Sequence, residues 1–130
     1  MLKQVDHVGI IVDDIKEARK FLTQVGMEHQ RDLDYPERLH ASFYQCGQIQ
    51  IEVIEITEPY ERERRLGGAK ARIEHIAFEV DDLAEVMTFF ASLGVKAQTH
   101  APVKVGDSLN YWTVGDTSDG VVYQLIQRQG

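Results

Sequence analysis

One segment of this sequence occurs twice. VDHVGIIVDDIKEARKFLTQVG, residues 5–26, is followed 68 residues later by IEHIAFEVDDLAEVMTFFASLG, residues 73–94. The two copies align without a gap, so that His7 corresponds to His75. A constant offset over a segment of this length predicts a chain built from two copies of one structural unit.

Each copy has the pattern of a strand that leads into a helix. Residues 4–12 are rich in Val and Ile and alternate in polarity, which is typical of a strand. Asp13 and Asp14 suit a helix N-terminus, and residues 15–25 place apolar side chains at helical spacing before Gly26 ends the helix. Further elements are predicted by the same criteria: strands at 27–33, 40–46 and 48–56, then a strand at 72–80, a helix at 83–93 and strands near 95–100, 108–114 and 121–128.

Two βαβββ modules in 130 residues predict one α+β domain over residues 1–130. The first module spans 1–56 and the second spans 72–130. Between them, residues 57–71, TEPYERERRLGGAKA, are charged and include Pro and Gly, so a linker with room for a short helical turn is expected there. Each sheet would bury one face under its helix, while the other faces would form a curved sheet that encloses a cleft.

Composition excludes several classes of protein. The net charge of −7 argues against binding to nucleic acid or to an anionic membrane. Cys46 is the single cysteine, so no intramolecular disulfide can form, and its apolar surroundings predict a small buried side chain. One cysteine, no secretory signal and no long apolar run together predict a cytoplasmic protein.

Strand alternation predicts that four polar side chains share the inner faces of the two modules. Val8, Ile10 and Val12 would face the first helix, so His7 would face the other way, and the repeat gives His75 the same orientation. By the same alternation Glu52, in IQIEVIEI, and Gln124, in VVYQLIQ, face inward. Each module would therefore present one imidazole and one oxygen-bearing side chain.

This combination of side chains suggests a metal ion. A mid-strand carboxylate directed at an apolar interior is unfavourable unless its charge is balanced. Two imidazoles, a carboxylate and an amide oxygen suit a divalent ion such as Ni²⁺, Co²⁺, Mn²⁺, Fe²⁺, Zn²⁺ or Mg²⁺, whereas a structural zinc site normally includes cysteine. Taken singly, each histidine could be an ordinary core residue and Glu52 could face solvent on an open sheet.

Four motifs resemble the glyoxalase/vicinal oxygen chelate superfamily. They are DHVGIIVDD, IEVIE, EHIAFEVDDL and GDTSDGVVYQLIQ, and the resemblance covers residues 4–128. It implies paired βαβββ modules with a metal in the cleft, and it is strongest to methylmalonyl-CoA epimerase and glyoxalase-I-like proteins. Matched motif by motif, the metal ligands fall on His7, Glu52, His75 and Gln124.

The resemblance also implies a chemistry. Members of the superfamily polarise a small substrate that chelates the metal through adjacent oxygens, so this chain would be a metal-dependent lyase or isomerase that stabilises an enolate. Most metal-dependent relatives carry Glu where this chain has Gln124, and an amide cannot accept a proton at neutral pH. The candidate bases are therefore Glu52 and Glu37, the latter in a Tyr-Pro-Glu stretch similar to an epimerase segment.

Other functions within the superfamily remain alternatives. A non-catalytic ligand-binding protein of the bleomycin-resistance type would tolerate the loss of a carboxylate at Gln124 and could line its cleft with Tyr44, Tyr111 and Trp112. Thiol transferases and dioxygenases are further alternatives, although a dioxygenase triad would need an acid at residue 124. The resemblance also implies a homodimer, by analogy alone.

Overall fold

The two copies of the sequence repeat fold into the same series of elements. A computed structural model describes residues 1–129, so residue 130, the last of the predicted second module, lies outside the described residues. The elements are β1 (Leu2–Val12), α1 (Ile15–Gln24), β2 (Glu28–Tyr35), β3 (Leu39–Cys46), β4 (Ile49–Ile56), α2 (Pro59–Arg65), β5 (Ala71–Val80), α3 (Leu83–Ser92), β6 (Val103–Val105), β7 (Ser108–Trp112) and β8 (Val122–Arg128), with a short 3₁₀ turn at Gly115–Thr117.

The aspartates of the repeated VDD motif start the two main helices. The side chain of Asp14 accepts hydrogen bonds from the backbone N–H groups of Lys16 and Glu17, and Asp82 accepts one from Glu85. These bonds satisfy N–H groups that have no partner within the helix. The predicted helix starts are therefore confirmed.

Two compact units make up the chain. The first unit is His7–Glu74, and the second consists of Met1–Asp6 together with the chain from His75 onward. The first unit has the strand order β2-β3-β4-β1, in which β1 and β4 are parallel and the other neighbours are antiparallel. The second has the order β5-β8-β7-β6, again with one parallel pair, β5 and β8.

In the first unit both faces of the sheet carry buried apolar side chains. One cluster packs beneath α1 and contains Val12, Ile15, Leu22, Tyr44 and Val53. The opposite face carries a second cluster, Ile11, Ala41, Ile54, Ile56 and Leu66. Alternation along β1 thus separates Val12 from Ile11 as predicted, and the face that carries Ile11 is the one to which His7 belongs.

The predicted linker contains a helix and is packed as part of the first unit. Glu58 caps α2, and Leu66, just beyond its end, enters the Ile11 cluster. The Arg65 guanidinium makes two hydrogen bonds, of 2.6 and 2.7 Å, to the Glu74 carboxylate. These contacts fix residues that the Pro and Gly content predicted to be a connector.

The second unit buries one cluster beneath α3, formed by Val80, Leu83, Val86 and Leu125.

The strand predicted at 95–100 is wrong. Ala97 makes only an isolated bridge to Thr113, through two backbone hydrogen bonds, from Gln98 N–H to the Trp112 carbonyl and from Val114 N–H to the Lys96 carbonyl. The Gln98 side chain adds one bond to the Thr113 carbonyl, and the pairing extends no further. The sixth strand, β6, begins later, directly after Pro102, which has no N–H to donate.

The single cysteine lies at the surface of the first unit. Cys46, predicted to be buried, is exposed because it is the last residue of β3, directly before the turn at Gly47. Across residues 1–129, none of the helices is both long and apolar enough to cross a membrane.

Candidate functional site

His7 and Glu52 meet within the first unit. In the parallel pairing of β1 with β4, His7 lies opposite Gln50 and Gly9 lies opposite Glu52. The His7 Nε2 atom is 3.3 Å from Oε1 of Glu52, and the two residues are only 4% and 8% exposed. The first unit thus holds an imidazole and a carboxylate side by side, away from water.

His75 and Gln124 occupy the equivalent positions of the second unit. In the parallel pairing of β5 with β8, His75 lies opposite Val122 and Ala77 lies opposite Gln124. In both units the oxygen-bearing residue therefore stands opposite the second residue after the histidine. His75 is 4% exposed and Gln124 is 8% exposed, so burial is matched as well. The repeat in sequence is also a repeat in strand register.

An aromatic ring and a cation lie next to the His7–Glu52 pair. Phe43, on β3, is the register partner of Glu52, and its ring meets the His7 ring edge-on with centroids 5.5 Å apart. Arg31, on β2, pairs with Phe43 and holds its guanidinium carbon 3.9 Å from the centre of that ring. This is a cation–π contact.

A buried amide contacts Gln124. Asn110, on β7, is 1% exposed, and its Oδ1 accepts a 2.9 Å hydrogen bond from Nε2 of Gln124. Trp112 is the direct register partner of Gln124, so its side chain shares the same face of the sheet. Sequence reasoning missed Asn110, although a polar residue alternating with Leu109 and Tyr111 in a strand was a usable signal.

The structure separates Glu37 from Glu52. Glu37 is exposed in the turn between β2 and β3. Leu39, just after the turn, pairs with Ile56, whereas Phe43 pairs with Glu52. Four residues along a strand correspond to about 13 Å. The Glu37 turn is therefore well removed from Glu52.

The three aromatic residues predicted to line a cleft do not share one face of the sheet. Two lie on the helix-covered faces, and one lies on the face of Gln124. Tyr44 is buried in the cluster beneath α1, and Tyr111 packs against the cluster beneath α3. Trp112 alone shares a face with a predicted ligand, Gln124. Ordinary core packing thus accounts for the two tyrosines.

The His7–Glu52 pair fits two ligands of one divalent ion. Metal–nitrogen and metal–oxygen bonds of about 2.1 Å that enclose an angle of about 100° put the two donor atoms roughly 3.2 Å apart. The observed separation of the donor atoms is 3.3 Å. Imidazole and carboxylate are ligands that Zn²⁺, Ni²⁺, Co²⁺, Fe²⁺ and Mn²⁺ accept. Both the chemistry and the spacing of this half-site therefore suit a metal.

Most of the chain matches the sequence pattern of one protein superfamily. The profile of the Glyoxalase/Bleomycin resistance protein/Dioxygenase superfamily matches residues 6–113. The chain belongs to this superfamily. The superfamily resemblance expected from the repeated motifs is thereby confirmed.

Individual proteins are similar to this chain over nearly its whole length. The uncharacterized protein YqjC of Bacillus subtilis (strain 168) is 26% identical over 135 residues, which cover 99% of this chain and 95% of that protein. Methylmalonyl-CoA epimerase from Mycobacterium tuberculosis superposes with a TM-score of 0.86 at 18% identity, covering 99% of this chain and 90% of the epimerase.

A second solved structure is a Glu-to-Gln variant of the Streptomyces coelicolor methylmalonyl-CoA epimerase in complex with 2-nitronate-propionyl-CoA. It gives a TM-score of 0.82 at 17% identity and covers 100% of both chains. At these identities the likeness establishes the fold, and the predicted α+β class with paired βαβββ modules is confirmed. The superfamily fold alone does not determine which reaction a member catalyses.

Proposed function

We propose that this chain is a metal-dependent enzyme that forms and reprotonates an enolate of a small substrate with two adjacent oxygen atoms. The observation that carries the proposal is the matched register of the two units, each with a buried histidine and a buried oxygen-bearing side chain. Membership of the superfamily supports it.

Four side chains would hold the ion: His7, Glu52, His75 and Gln124. The 3.3 Å spacing of the His7 and Glu52 donor atoms supports one half of this ligand set. Gln124 would contribute its carbonyl oxygen, because an amide nitrogen does not bind cations. When bound, the ion supplies Lewis-acid stabilisation of the negative charge that develops on a substrate oxygen.

Glu52 is the proposed proton-transfer residue. The amide of Gln124 cannot accept a proton, so the carboxylate of the site lies on β4 rather than β8. Glu37 is the second candidate base, but about 13 Å of strand separates its turn from the Glu52 position. Return of the proton to the opposite face of the same carbon gives epimerisation, and return to the neighbouring carbon gives a glyoxalase-type isomerisation.

The structural neighbours suggest which substrate to test first. One of them is described as an epimerase complex with methylmalonyl-CoA, so an acyl-CoA thioester with an acidic α-proton is the first choice for this chain. We further propose a cytoplasmic homodimer that acts on a small molecule. Binding to nucleic acid or to a membrane is not expected, because the net charge is −7.

The test measures metal content and α-proton exchange together. Protein stripped with a chelator is reloaded with each divalent ion in turn, the bound metal is quantified, and deuterium incorporation into methylmalonyl-CoA is followed in D₂O by NMR. We expect about one ion per chain and metal-dependent exchange. His75→Ala should lose both, whereas His100→Ala, a change to an exposed histidine, should lose neither.

Each outcome of this experiment has a separate meaning. If no divalent ion binds to the wild-type protein, the metal-dependent function is wrong. If one ion binds and the thioester does not exchange, epimerisation of this substrate is wrong, and glyoxalase-type substrates such as hemithioacetals are tested next.

A second candidate function is non-catalytic ligand binding, as in bleomycin-resistance proteins. The observation in its favour is that Gln124 supplies an amide and Trp112 supplies an aromatic surface on the same face of the sheet. Because Trp112 is the one tryptophan of the sequence, its fluorescence reports on this face directly. Tight binding of an aromatic ligand to metal-free protein would favour this function over the enzyme.

A further inference from the structure

We propose that Asn110 is a positioning residue that fixes the Gln124 amide with its carbonyl oxygen available to the metal. This inference rests on the proposed metal-dependent function. Asn110 is 1% exposed and Gln124 is 8% exposed, and the 2.9 Å hydrogen bond between them is buried. The direction of that bond determines which end of the Gln124 amide faces Asn110.

The orientation of the Asn110 amide is set by its other partners. Its Nδ2 atom donates to the backbone carbonyl of Val103 at 3.3 Å and to Oγ of Ser108 at 2.9 Å. A carbonyl can only accept. The Ser108 hydroxyl proton is already donated to the carbonyl of Val105, at 2.8 Å, so this oxygen also acts as an acceptor. Both neighbours therefore require the NH₂ end of Asn110, and Oδ1 must face Gln124.

The orientation of Gln124 then follows. The Oδ1 atom of Asn110 can only accept, so it must face the NH₂ end of Gln124, as the Nε2–Oδ1 contact shows. The Oε1 atom is consequently on the arm of the amide that points away from Asn110. Rotation of the Gln124 amide by 180° would set two oxygen atoms against each other in a buried location, which is unfavourable.

This chain of hydrogen bonds also accounts for glutamine rather than glutamate at residue 124. A carboxylate there would set an oxygen against Oδ1 of Asn110. If the Asn110 amide turned over to donate instead, its Oδ1 would face the carbonyl of Val103. Either arrangement leaves buried acceptors unsatisfied. Asn110 therefore matches glutamine at this position and disfavours an acid.

The test is a double-mutant cycle on Co²⁺ affinity. The Kd for Co²⁺ is measured by calorimetry and by quenching of Trp112, the register partner of Gln124, in wild type, Asn110→Ala, Gln124→Ala and the double variant. Loss of a residue that orients a ligand lowers metal affinity by about 10–100-fold. We expect that loss for Asn110→Ala in the wild-type background and less than about 3-fold in the Gln124→Ala background, because Asn110 acts only through Gln124.

The outcomes separate this inference from the proposed function. If the wild type binds Co²⁺ and Asn110→Ala binds it equally well, the positioning role is overturned while the metal site stands. The same conclusion follows if Asn110→Ala lowers the affinity as much in the Gln124→Ala background as in the wild-type background. If the wild type binds no Co²⁺, the proposed function and the positioning role both fail. Should Asn110→Ala not fold, Asn110→Ser keeps a small polar side chain, and the same background dependence is expected of it.

Discussion

Glu52 Oε1 and His7 Nε2 lie 3.3 Å apart on neighbouring parallel strands, in a part of the first unit where both residues are almost entirely buried. The contact links a residue near the start of the chain to one in its fourth strand. It exists because β1 and β4 pair with Gly9 opposite Glu52, so the carboxylate is held by the backbone register of two strands. The metal-binding proposal depends first on this contact.

Replacing Glu52 with glutamine should weaken metal binding with little effect on folding. The change keeps the shape of the side chain and removes the negative charge, and we expect the Kd for Co²⁺ or Ni²⁺ to rise by at least about 100-fold, at or above the upper end of what loss of an outer-sphere partner costs. Isothermal titration calorimetry measures this directly. Glu63→Gln alters an exposed residue and should bind as the wild type does, and equal affinity of the two variants would contradict the ligand role of Glu52.

A left-handed turn precedes the strand that carries Gln124. Asp119 and Gly120 have φ values of 60° and 86°, so two successive residues adopt this conformation. Because a β-carbon is disfavoured there, Gly120→Ala should lower the free energy of unfolding by about 1–2 kcal/mol in urea titration. Gly68→Ala is the control, since Gly68 has no positive φ and a β-carbon would meet no atom within 4 Å. Equal stability of the two variants would show that alanine adopts the left-handed conformation at residue 120 without strain.

Leu125 is the most buried side chain of the cluster beneath α3. It is 0% exposed, and it separates Gln124 from Ile126 on β8, so it faces the side opposite to Gln124. Leu125→Ala should reduce the free energy of unfolding by about 2–5 kcal/mol, because truncation leaves a cavity in a packed cluster. Leu93→Ala removes a leucine that is 63% exposed and should change stability by less than about 0.5 kcal/mol. Chemical denaturation distinguishes the two, and a small loss at Leu125 would mean that the cluster is loosely packed.

Asp32 makes part of the stability dependent on pH. The hydrogen bond from Ser42, and then that from His29, hold the pKa of the Asp32 carboxyl below its ordinary value of 3.8. Since the folded-state pKa is lowered, the stabilisation is present above pH 3.8 and is lost as the pH falls through the folded-state value. The stability difference between wild type and Asp32→Asn should therefore be larger at about pH 6 than at about pH 3.

Urea titrations at the two pH values measure this difference. Asp107→Asn, at an exposed position, controls for the loss of one surface charge. Asp32 is itself partly exposed, so solvent screening keeps the effect modest. A difference between wild type and Asp32→Asn that stays constant between the two pH values would contradict the assignment.

Periodicity was sufficient to predict much of this fold. The 68-residue repeat predicted both modules, and the alternation of Val and Ile with His7 and His75 predicted which residues would be buried on the face away from the helix. These predictions succeeded because one face of each strand packs beneath a helix, which imposes a period of two on the sequence. The caps at Asp14 and Asp82 were predictable for a similarly local reason.

Features that depend on contacts between distant residues were not predictable. The charged segment 57–71 gives no sign that Arg65 would contact Glu74 or that Leu66 would enter a buried cluster. Residues near 97 bond to Thr113 through a bridge and a side chain rather than a ladder, and no local pattern encodes that choice. The alternation of Asn110 with Leu109 and Tyr111 indicates a polar inward-facing residue, but no local pattern shows that its partner is Gln124 on another strand.

The boundary between the two compact units passes through β1. Residues up to Asp6 belong with the second half of the chain, where Lys3 contacts Glu79 and Asp6 contacts Arg128. A protein made from one repeat alone would lack the residues that the other repeat contributes to its unit. The two repeats are therefore interdependent, because each compact unit includes the N-terminal residues of the other repeat.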